Sequence, residues 1–581
     1  MSRKWLLLLL LGSPWMKAQT LKEWGAMRRI LIGAAVDPSR FSEAAYASTL
    51  RAEFSKVTPE NLMKWDALHP GINTYNYAPA DSIVTFATQN SMQVRGHTLV
   101  WHSQNPAWLT GGGFTPTQLS GLLQDHINNV VGHYAGKVYA WDVVNEAFND
   151  DGTLRATIWS TQPGIGLTGT GYIEQAFRWA RAADPNALLF YNDYSIETVG
   201  AKSNAVFQMV QDFKARGVPI DGIGLQTHLS VGFNSGAITS LENNIKRFAD
   251  LGLQVHITEL DVRLPVSGGV ATPADVTAQE AIYEGVVRAC LKYPLCTAIQ
   301  VWGVTDKYSW IPGAFPGFGS GLPFDANYAR KSAYTSMITA LSTAPPIING
   351  TGLVNAASYA AGGVSPGEIA VFFTPSFGPA SLVAAIVDSN FKLPTTLAES
   401  RVLFDGTPAP LLYSLAGQVS AIVPFGVAGK ASTQVQYQYK GISSNTVTVP
   451  VVAVKPGLFT LNASGSGPGA ILDASYKPIG ADNPAAKGSV VLVFLTGGGK
   501  TDPGIDGQVS TGLPLPSLTN VSARIGGVTA DVLYAGGAVG LVHGGIQFNV
   551  RVPEAAPSGD QPIIVTIGGQ QSKSGVTLRV Q

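Results

Sequence analysis

The chain has 581 residues, which exceeds one ordinary domain and predicts about two to four. Its 38 basic residues balance 38 acidic ones, and only 13% of all residues are charged. This composition argues against a nucleic-acid partner and against an anionic membrane surface.

The N-terminus has the pattern of a secretory signal peptide. Arg3 and Lys4 precede an apolar run from Trp5 to Leu11, and cleavage after Ala18 would remove residues 1–18. The run is too short to span a bilayer, and no later apolar stretch reaches about 18 uninterrupted residues. We therefore expect a protein without a membrane span that is secreted or associated with the cell surface.

The sequence contains two cysteines, Cys290 and Cys296. In an oxidising compartment a local disulfide is the natural pairing, and it would contribute roughly 2 kcal/mol for so small a ring. Zinc binding is disfavoured because the pair lacks a further Cys or His nearby. We expect a structural disulfide, and we expect neither a metal nor a cofactor.

From Leu31 to about Leu341, short β-branched runs alternate with longer amphipathic segments. The predicted strands are Ile32 to Val36, Phe54 to Thr58, Met92 to His97, Val138 to Val144, Ala187 to Tyr191, Gly222 to Thr227, Gln254 to Thr258 and Ala298 to Trp302. Predicted helices include Thr115 to His133, Ile173 to Ala183, Ala201 to Ala215, Leu241 to Leu251 and Pro273 to Lys292. Eight such βα units predict a (β/α)8 barrel. A doubly wound sheet is the alternative, but no GxGxxG turn follows the first strand.

Polar and aromatic residues follow nearly every predicted strand. They are Glu60, Asn61 and Lys64; His97, Trp101 and Gln104; Asn145 and Glu146; Asn192, Asp193 and Tyr194; Gln226 and His228; Glu259 and Asp261; and Trp302, Asp306 and Trp310. In a barrel the carboxyl ends of the strands meet on one face. The sequence therefore predicts an active site on that face.

Glu146 and Glu259 are the candidate catalytic pair. Cleavage of a glycosidic bond needs one carboxyl to protonate the leaving oxygen and another to attack or stabilise the anomeric carbon, without a metal. A carboxyl separation of about 5 to 5.5 Å would give retention of configuration, and about 6.5 to 9.5 Å would give inversion. The alternative is two unrelated glutamates at strand ends.

His228 and Asp261 strengthen the assignment of the pair. A carboxylate nucleophile that lies near a second carboxyl stays ionised more readily when a hydrogen-bond donor binds it. The donor is most effective when an acceptor on its other side holds it in place. Asp261 and His228 could form that chain behind Glu259. A zinc site from His97, His102 and His228 is the competing interpretation, but the spacing lacks the helical HExxH pattern.

All tryptophans lie at or before Trp310, and four follow predicted strands: Trp65, Trp101, Trp302 and Trp310. Sugar rings stack their C–H faces on indole, while Asn, Gln, Lys and His side chains satisfy the hydroxyls. A single tryptophan is more often part of the core. Four tryptophans interleaved with such polar residues favour a carbohydrate cleft.

Six ordered motifs closely resemble those of family 10 glycoside hydrolases, the endo-β-1,4-xylanases. They are PENLMKW (59–65), RGHTLVWHSQ (95–104), WDVVNEA (141–147), LQTH (225–228), ITELDVR (257–263) and WGVTDKYSW (302–310). The resemblance covers about residues 22 to 342. It implies a retaining double displacement on xylan, with Glu146 as acid/base and Glu259 as nucleophile.

The same resemblance implies roles for the surrounding residues. Asn145, Lys64, His97 and Trp302 would hold the sugar at the cleavage point, and Glu60, Asn61, Gln104 and Trp310 would bind more distal glycone sugars. Gln226 and His228 would lie beside the nucleophile, with Asp261 behind His228. Cys290 and Cys296 match a disulfide position common in that family.

Beyond residue 344 the sequence becomes rich in Gly, Ser, Thr, Val and Pro and repeats itself. GLVNAASY (352–359) is echoed by GAILDASY (469–476), and VLFDGTPAPLLY (402–413) by ARIGGVTADVLY (523–534). Two tandem β-sandwiches are predicted, and they resemble immunoglobulin-like modules of secreted bacterial proteins, more weakly the IPT/TIG type. The predicted boundaries are 1–18 for the signal peptide, 19–344 for the barrel, 345–454 for the first sandwich and 455–581 for the second.

The sandwiches contain no tryptophan, so a spacer or cell-surface role is favoured over polysaccharide binding. The chain as a whole is interpreted as a secreted endo-1,4-β-xylanase acting on xylan or a related plant cell-wall polysaccharide. A β-1,4-glucanase is the nearest alternative, because xylose and glucose differ only by the C5 hydroxymethyl group. A non-catalytic glycan-binding protein is the more distant one.

Overall fold

The computed structural model describes residues 20–374, 377–513 and 515–581. The predicted signal peptide lies outside these residues. The chain forms two compact units, and it passes from the first to the second between Ala344 and Pro345. Within the described ranges, no helix is both long enough and apolar enough to cross a membrane.

The first unit is a closed barrel of eight parallel strands. The strands are β1 (Leu31–Val36), β2 (Lys56–Pro59), β3 (Gln93–Val100), β4 (Ala140–Asn145), β5 (Leu188–Asp193), β6 (Gly222–Leu225), β7 (Gln254–Pro265) and β8 (Cys296–Val301). Each strand pairs in parallel with the next, and β8 pairs with β1 to close the ring. The predicted (β/α)8 barrel is confirmed.

Helices follow the strands around the outside of the ring. The α-helices are Leu21–Arg28, Ala44–Glu53, Trp65–Leu68, Ala78–Gln89, Ala107–Thr110, Pro116–His133, Gly171–Ala183, Ala201–Ala215, Ser235–Asp250, Pro273–Leu291, Ile311–Ala314 and Ser332–Thr343. Short 3-10 turns are Pro38–Arg40 and Asp306–Tyr308 in this unit, and Gly350–Gly352 and Phe425–Val427 in the second unit. The helix predicted to start at Leu241 begins six residues earlier, at Ser235. Its N-cap explains the difference, because the Asn234 side chain accepts the N–H groups of Gly236 and Ala237.

The largest departure among the strands is at β7, which was predicted to end at Thr258 but continues to Pro265. Its extension pairs with two short strands, His228–Ser230 and Phe318–Gly319. Leu260, Val262 and Leu264 are buried there, so the extension has a packed face of its own. The extension also fixes Asp261 directly beside His228, its Cα partner across the strand pair.

The inside of the barrel is unusually polar. Lys56 and Gln300 are fully buried and occupy the same level of the ring, where both pair with Gly33. A Cβ atom on Gly33 would lie 3.0 Å from Gln300 Oε1, so the missing side chain makes room for the Gln300 side chain. Among the described residues, neither Lys56 Nζ nor Gln300 Nε2 has a hydrogen-bond partner. The core therefore contains two donors that folding has removed from water.

Replacing Lys56 by methionine is expected to stabilise the barrel by about 1–3 kcal/mol at pH 7, the scale of an unsatisfied buried polar group. Burial, reinforced by the charge of Arg95, lowers the pKa of Lys56 well below its usual value. A pKa lowered by folding means that the folded state favours the neutral amine, and the resulting cost in stability falls as the pH rises toward the unfolded pKa. The gain in melting temperature should accordingly shrink as the pH rises toward about 10.

Thermal unfolding followed by circular dichroism measures this effect. Lys214→Met, at an exposed lysine, is the matched control and should leave the melting temperature unchanged. A Lys56→Met protein that melts below the parent at pH 7 would contradict the assigned cost.

Cys290 and Cys296 form the predicted disulfide. It joins the last turn of helix Pro273–Leu291 to the first residue of β8. The bond closes the short connection that leads into the strand carrying Trp302 at its end.

The second unit consists of two successive β-sandwiches. In the first, one sheet comprises Leu353–Asn355, Ile369–Phe373, Gln418–Ile422, Leu411–Leu415 and Val383–Ala384, and the other Thr407–Pro408, Ser400–Phe404, Ser432–Tyr439 and Ile442–Pro450. In the second, one sheet comprises Gly457–Leu458, Ile471–Asp473, Val490–Thr496, Gly545–Arg551 and Val532–Gly536, and the other Gly467–Pro468, Val576–Val580, Gly559–Ile567, Gln570–Gln571, Val521–Ile525 and Val528–Ala530. Each pair of sheets encloses its own apolar core.

The two sandwiches share a structural detail at equivalent positions of the sequence repeat. The strand that ends each repeated segment carries a β-bulge, between Leu411 and Tyr413 in the first and between Val532 and Tyr534 in the second. The sandwiches also contact each other, since Ile369 N–H donates to Thr496 Oγ1 at 2.8 Å. They pack together as one body.

Candidate active site

The carboxyl ends of the barrel strands bring the predicted site residues together. Glu60 and Asn61 follow β2, His97 lies within β3, Asn145 ends β4 and precedes Glu146, Gln226 follows β6, and Glu259 and Asp261 lie in β7. Trp302 follows β8 directly. All of these strands run in parallel, so these positions meet at one mouth of the barrel.

Glu259 is a buried carboxylate held by two donors. His228 Nε2 lies 3.1 Å from Oε2, and Asn192 Nδ2 lies 2.8 Å from Oε1. Burial alone would raise the pKa of Glu259, but the His228 hydrogen bond, with the charge of His97 and the Asn192 bond, holds it below its usual value. Glu259 is therefore ionised in the free protein, as a nucleophile must be.

His228 lies between two carboxylates. Its Nδ1 is 2.9 Å from Asp261 Oδ2, which also accepts the indole N–H of Trp310 at 2.8 Å. Burial opposes the charge on His228, but Asp261 and Glu259 outweigh it and raise its pKa to about 10. His228 is thus a cation at neutral pH, and it donates from both nitrogens.

Glu146 has a different environment. Trp101 Nε1 donates to Oε2 at 2.8 Å, and Gln226 Nε2 and Asn145 Nδ2 donate to Oε1 at 2.8 and 3.2 Å. Its backbone is left-handed, with a φ of 55°. This conformation turns the chain sharply where β4 ends and directs the carboxyl toward the three donors.

Two asparagines connect the carboxyl groups. Asn192 Nδ2 donates to Asn145 Oδ1 at 2.9 Å as well as to Glu259, and Asn145 donates to Glu146. Thr258 fixes the orientation of the Asn192 amide, because its hydroxyl donates to Asn192 Oδ1 at 2.7 Å. Movement of either carboxyl group is therefore coupled to the other through amide hydrogen bonds.

The side of the mouth near β2 carries the residues predicted to bind distal sugars. Lys64 Nζ donates to Asn61 Oδ1 at 2.9 Å and lies 4.9 Å from the centre of the Trp101 ring, and Gln104 Nε2 is 3.4 Å from the same Asn61 oxygen. Burial and the neighbouring Asp37 raise the pKa of Glu60 to about 7. These groups form a polar wall that can bind sugar hydroxyls.

His97 is anchored from below by a buried ion pair. Its Nδ1 lies 3.0 Å from Asp142 Oδ2, and Asp142 also accepts two hydrogen bonds from Arg95. Burial opposes ionisation of Asp142, but Arg95 and His97 lower its pKa. Two of the three imidazoles of the alternative zinc site therefore bind carboxylates, His97 to Asp142 and His228 to Asp261 and Glu259. The third, His102, has its Nδ1 3.8 Å from Glu146 Oε2.

The tryptophans divide between site and core. Trp101 and Trp302 border His97, with ring centres 6.4 and 5.5 Å from it, and Trp310 is 38% exposed beside His228. Trp65 is 3% exposed and stacks on His126 at 3.6 Å. Trp65 is therefore a core residue rather than a sugar platform.

Sequence reasoning missed several contacts at this mouth. Asn192 was noted only as part of a polar cluster after β5, yet it touches Glu259 directly. Gln226 was expected beside the nucleophile, and its backbone carbonyl does accept Glu259 N–H, but its side chain bonds Glu146. Trp101 was expected to stack on sugar, whereas its N–H also binds Glu146. The polar cluster at the end of β5 was the available signal for Asn192.

A pair of carboxyl groups, one of them held ionised, is the catalytic arrangement of glycoside hydrolases. Together with the barrel, it places the protein in that class. The chain belongs to glycosyl hydrolase family 10, whose pattern matches residues 20–340.

Named relatives and solved structures agree with this assignment. The chain is 48% identical over 290 residues to endo-1,4-beta-xylanase B of Thermotoga neapolitana, covering 50% of this chain and 81% of the relative. It is 42% identical over 319 residues to endo-1,4-beta-xylanase C of Phanerodontia chrysosporium, covering 55% and 77%. The crystal structure of native xylanase 10B from Thermotoga maritima matches with a TM-score of 0.53 and 46% identity, covering 56% of this chain and 98% of that one.

Removal of the His228 cation is expected to move the acid limb of the pH profile to higher pH. In His228→Gln the carboxylate of Glu259 loses a charged donor, so its pKa rises and Glu259 becomes protonated at a higher pH. The measurement is kcat/KM against pH. His133→Gln is the matched control, because His133 also pairs with a carboxylate, Asp81, on a helix away from the mouth. An acid limb that stays in place in His228→Gln would contradict this role.

Proposed function

We propose that this chain is a secreted endo-1,4-β-xylanase that hydrolyses internal bonds of xylan by a retaining double displacement. The observation that carries the proposal is the contrast between the two carboxyl groups. Glu259 is bonded to the His228 cation and to Asn192, while Glu146 accepts hydrogen bonds from the uncharged groups of Trp101, Gln226 and Asn145. The similarity to named xylanases supports xylan as the polymer.

In the first step Glu259 attacks the anomeric carbon, and Glu146 gives its proton to the departing glycosidic oxygen. The bond between that carbon and oxygen breaks as an ester to Glu259 forms. The His228 cation and the Asn192 amide hold the attacking oxygens in place. Asn145, Lys64, His97 and Trp302 are proposed to bind the sugar undergoing reaction.

In the second step Glu146, now a carboxylate, removes a proton from water as the water attacks the anomeric carbon. The ester to Glu259 breaks, and the product leaves with its original configuration. Trp101, Gln226 and Asn145 can donate to this carboxylate form, as their present geometry allows. The three donors therefore stabilise the form of Glu146 that acts as the base.

The test is release of reducing ends by the purified chain from xylan and from carboxymethylcellulose. The proposal expects strong activity on xylan with a rapid loss of viscosity, which is typical of internal cleavage. Equal or greater activity on the cellulose derivative would favour a β-1,4-glucanase. If the chain binds a polymer but releases reducing ends from neither, it is a glycan-binding protein rather than an enzyme.

We propose that the protein is exported, because its N-terminus has basic residues followed by an apolar run. The Cys290–Cys296 disulfide supports export, since such bonds persist in oxidising compartments. N-terminal sequencing of the protein from culture medium should begin at residue 19. Intact protein retained inside the cell would contradict export.

For the second unit we propose immunoglobulin-like modules that act as a spacer or in cell-surface association. The sequence of residues 345–581 contains no tryptophan to stack on sugars. The spacer role is tested by measuring how much protein is retained on insoluble xylan. The full chain is compared with a variant that ends at Ala344. Equal retention supports the spacer role, and retention that requires the sandwiches would assign them polysaccharide binding.

A further inference from the structure

The peptide bond that follows Glu146 is held at both of its polar atoms. Arg155 Nε donates to the carbonyl of Glu146 at 3.2 Å, and the N–H of Ala147 donates to the hydroxyl oxygen of Tyr191 at 3.0 Å. The preceding peptide is fixed as well, because Glu146 N–H donates to Asn192 O at 2.9 Å. Both backbone torsions of Glu146 are therefore set by hydrogen bonds.

These hydrogen bonds stabilise a backbone conformation that is unfavourable for residues other than glycine. The φ of 55° at Glu146 lies in the left-handed region, which is unfavourable for residues with a Cβ atom. If the bonds were lost, the peptide could rotate toward a more favourable conformation. The carboxyl group would then move away from Trp101 and Gln226.

Tyr191 is oriented for this task by groups that the catalytic steps do not use. Its ring is fully buried in β5, and its hydroxyl donates its only proton to Asp193 Oδ2 at 2.5 Å. Lys202 Nζ, 2.9 Å from Asp193 Oδ1, holds that carboxylate in place. The hydroxyl must therefore turn an oxygen lone pair, rather than its hydrogen, toward Ala147 N–H.

We propose that Tyr191 is a positioning residue for Glu146, acting through the 146–147 peptide and oriented by Asp193 and Lys202. The inference rests on the proposed function, since it takes Glu146 to be the acid/base. Such a residue has a distinctive kinetic signature. Proton donation matters for the poor leaving group of xylan, but hardly for 2,4-dinitrophenolate, which departs without a proton.

The first variant is Tyr191→Phe, which keeps the ring and removes the hydroxyl. We expect kcat/KM on xylan to fall by about 10-fold to 100-fold, the effect of a small displacement of a catalytic group. On 2,4-dinitrophenyl β-xylobioside the change should stay below about 3-fold. Tyr334→Phe is the matched control, because Tyr334 is also buried and donates to a carboxylate, Glu53. Tyr334→Phe should change kcat/KM by the same factor on both substrates.

Arg155→Lys tests the other end of the same peptide and covers the case in which Tyr191→Phe does not fold. It should show the same selective loss on xylan. In a Glu146→Ala background, Tyr191→Phe should cause no further loss on xylan, because its effect is transmitted only through Glu146. Equal losses on both substrates, or additive losses in the double variant, would overturn the proposal. A parent protein inactive on xylan would instead overturn the proposed function.

Discussion

Glu259→Ala is expected to lower kcat on xylan by about 10⁵-fold or more, the scale for loss of a covalent nucleophile. The buried Glu259 carboxylate is the group that His228 and Asn192 keep ionised, and within the described part of the chain no other carboxylate is bonded to both of them. Loss of the nucleophile affects the first step, so activated aryl glycosides should lose activity as well. The measurement is initial rates on xylan and on 2,4-dinitrophenyl β-xylobioside.

Azide gives this prediction a stereochemical control. In the space left by Glu259→Ala, azide should attack the anomeric carbon directly and yield the α-glycosyl azide. Glu284→Ala, at a surface glutamate paired with Arg288, should retain full activity. A Glu259→Ala protein with more than about a hundredth of the parent activity would contradict the nucleophile assignment.

Glu146→Ala is expected to lower kcat/KM on xylan by about 10²-fold to 10⁴-fold, the usual contribution of a general acid. On 2,4-dinitrophenyl β-xylobioside the first step needs no proton, so kcat/KM should remain close to that of the parent. Deglycosylation loses its base, so kcat and KM should fall together as the ester accumulates. The effect is measured by steady-state kinetics on the two substrates. A pre-steady-state burst of dinitrophenolate is expected with the activated substrate.

With Glu146→Ala, azide should restore turnover and give the β-glycosyl azide. It attacks the anomeric carbon of the sugar esterified to Glu259, from the face vacated by the Glu146 side chain. Glu146→Gln is a useful companion, since it keeps the contacts of Trp101 but cannot donate a proton. If Glu146→Ala hydrolysed the activated substrate no better than xylan, the acid/base assignment would be wrong.

Much of this arrangement could be predicted because it follows from local patterns. The alternation of strands and helices identified the barrel, and the residues after each strand identified its functional mouth. Glu146 and Glu259 could be paired because parallel strands carry their carboxyl ends to one place. The repeated segments after residue 344 likewise predicted two sandwiches, and the bulges at equivalent positions of the repeats were found only in the structure.

The remaining features depend on distances between strands, which a linear pattern does not encode. Asn192 reaches Glu259 across β6, and Tyr191 supports the peptide after Glu146 from the neighbouring strand. Lys56 looked like an ordinary strand residue, but its side chain is fully buried and its Nζ lacks a hydrogen-bond partner among the described residues. The start of helix Ser235–Asp250 was missed because Gly236 weakens the helical pattern beside its Asn234 cap.

Covalent labelling tests the central claim most directly. A 2,4-dinitrophenyl 2-deoxy-2-fluoro-β-xylobioside slows both steps, because fluorine destabilises the oxocarbenium-like transition state, while its leaving group still allows the first step to proceed. Mass spectrometry of the intact protein and its peptides should find one fluoroxylobiosyl group, attached to Glu259. A label on another residue, or no label on a protein that hydrolyses xylan, would contradict the account.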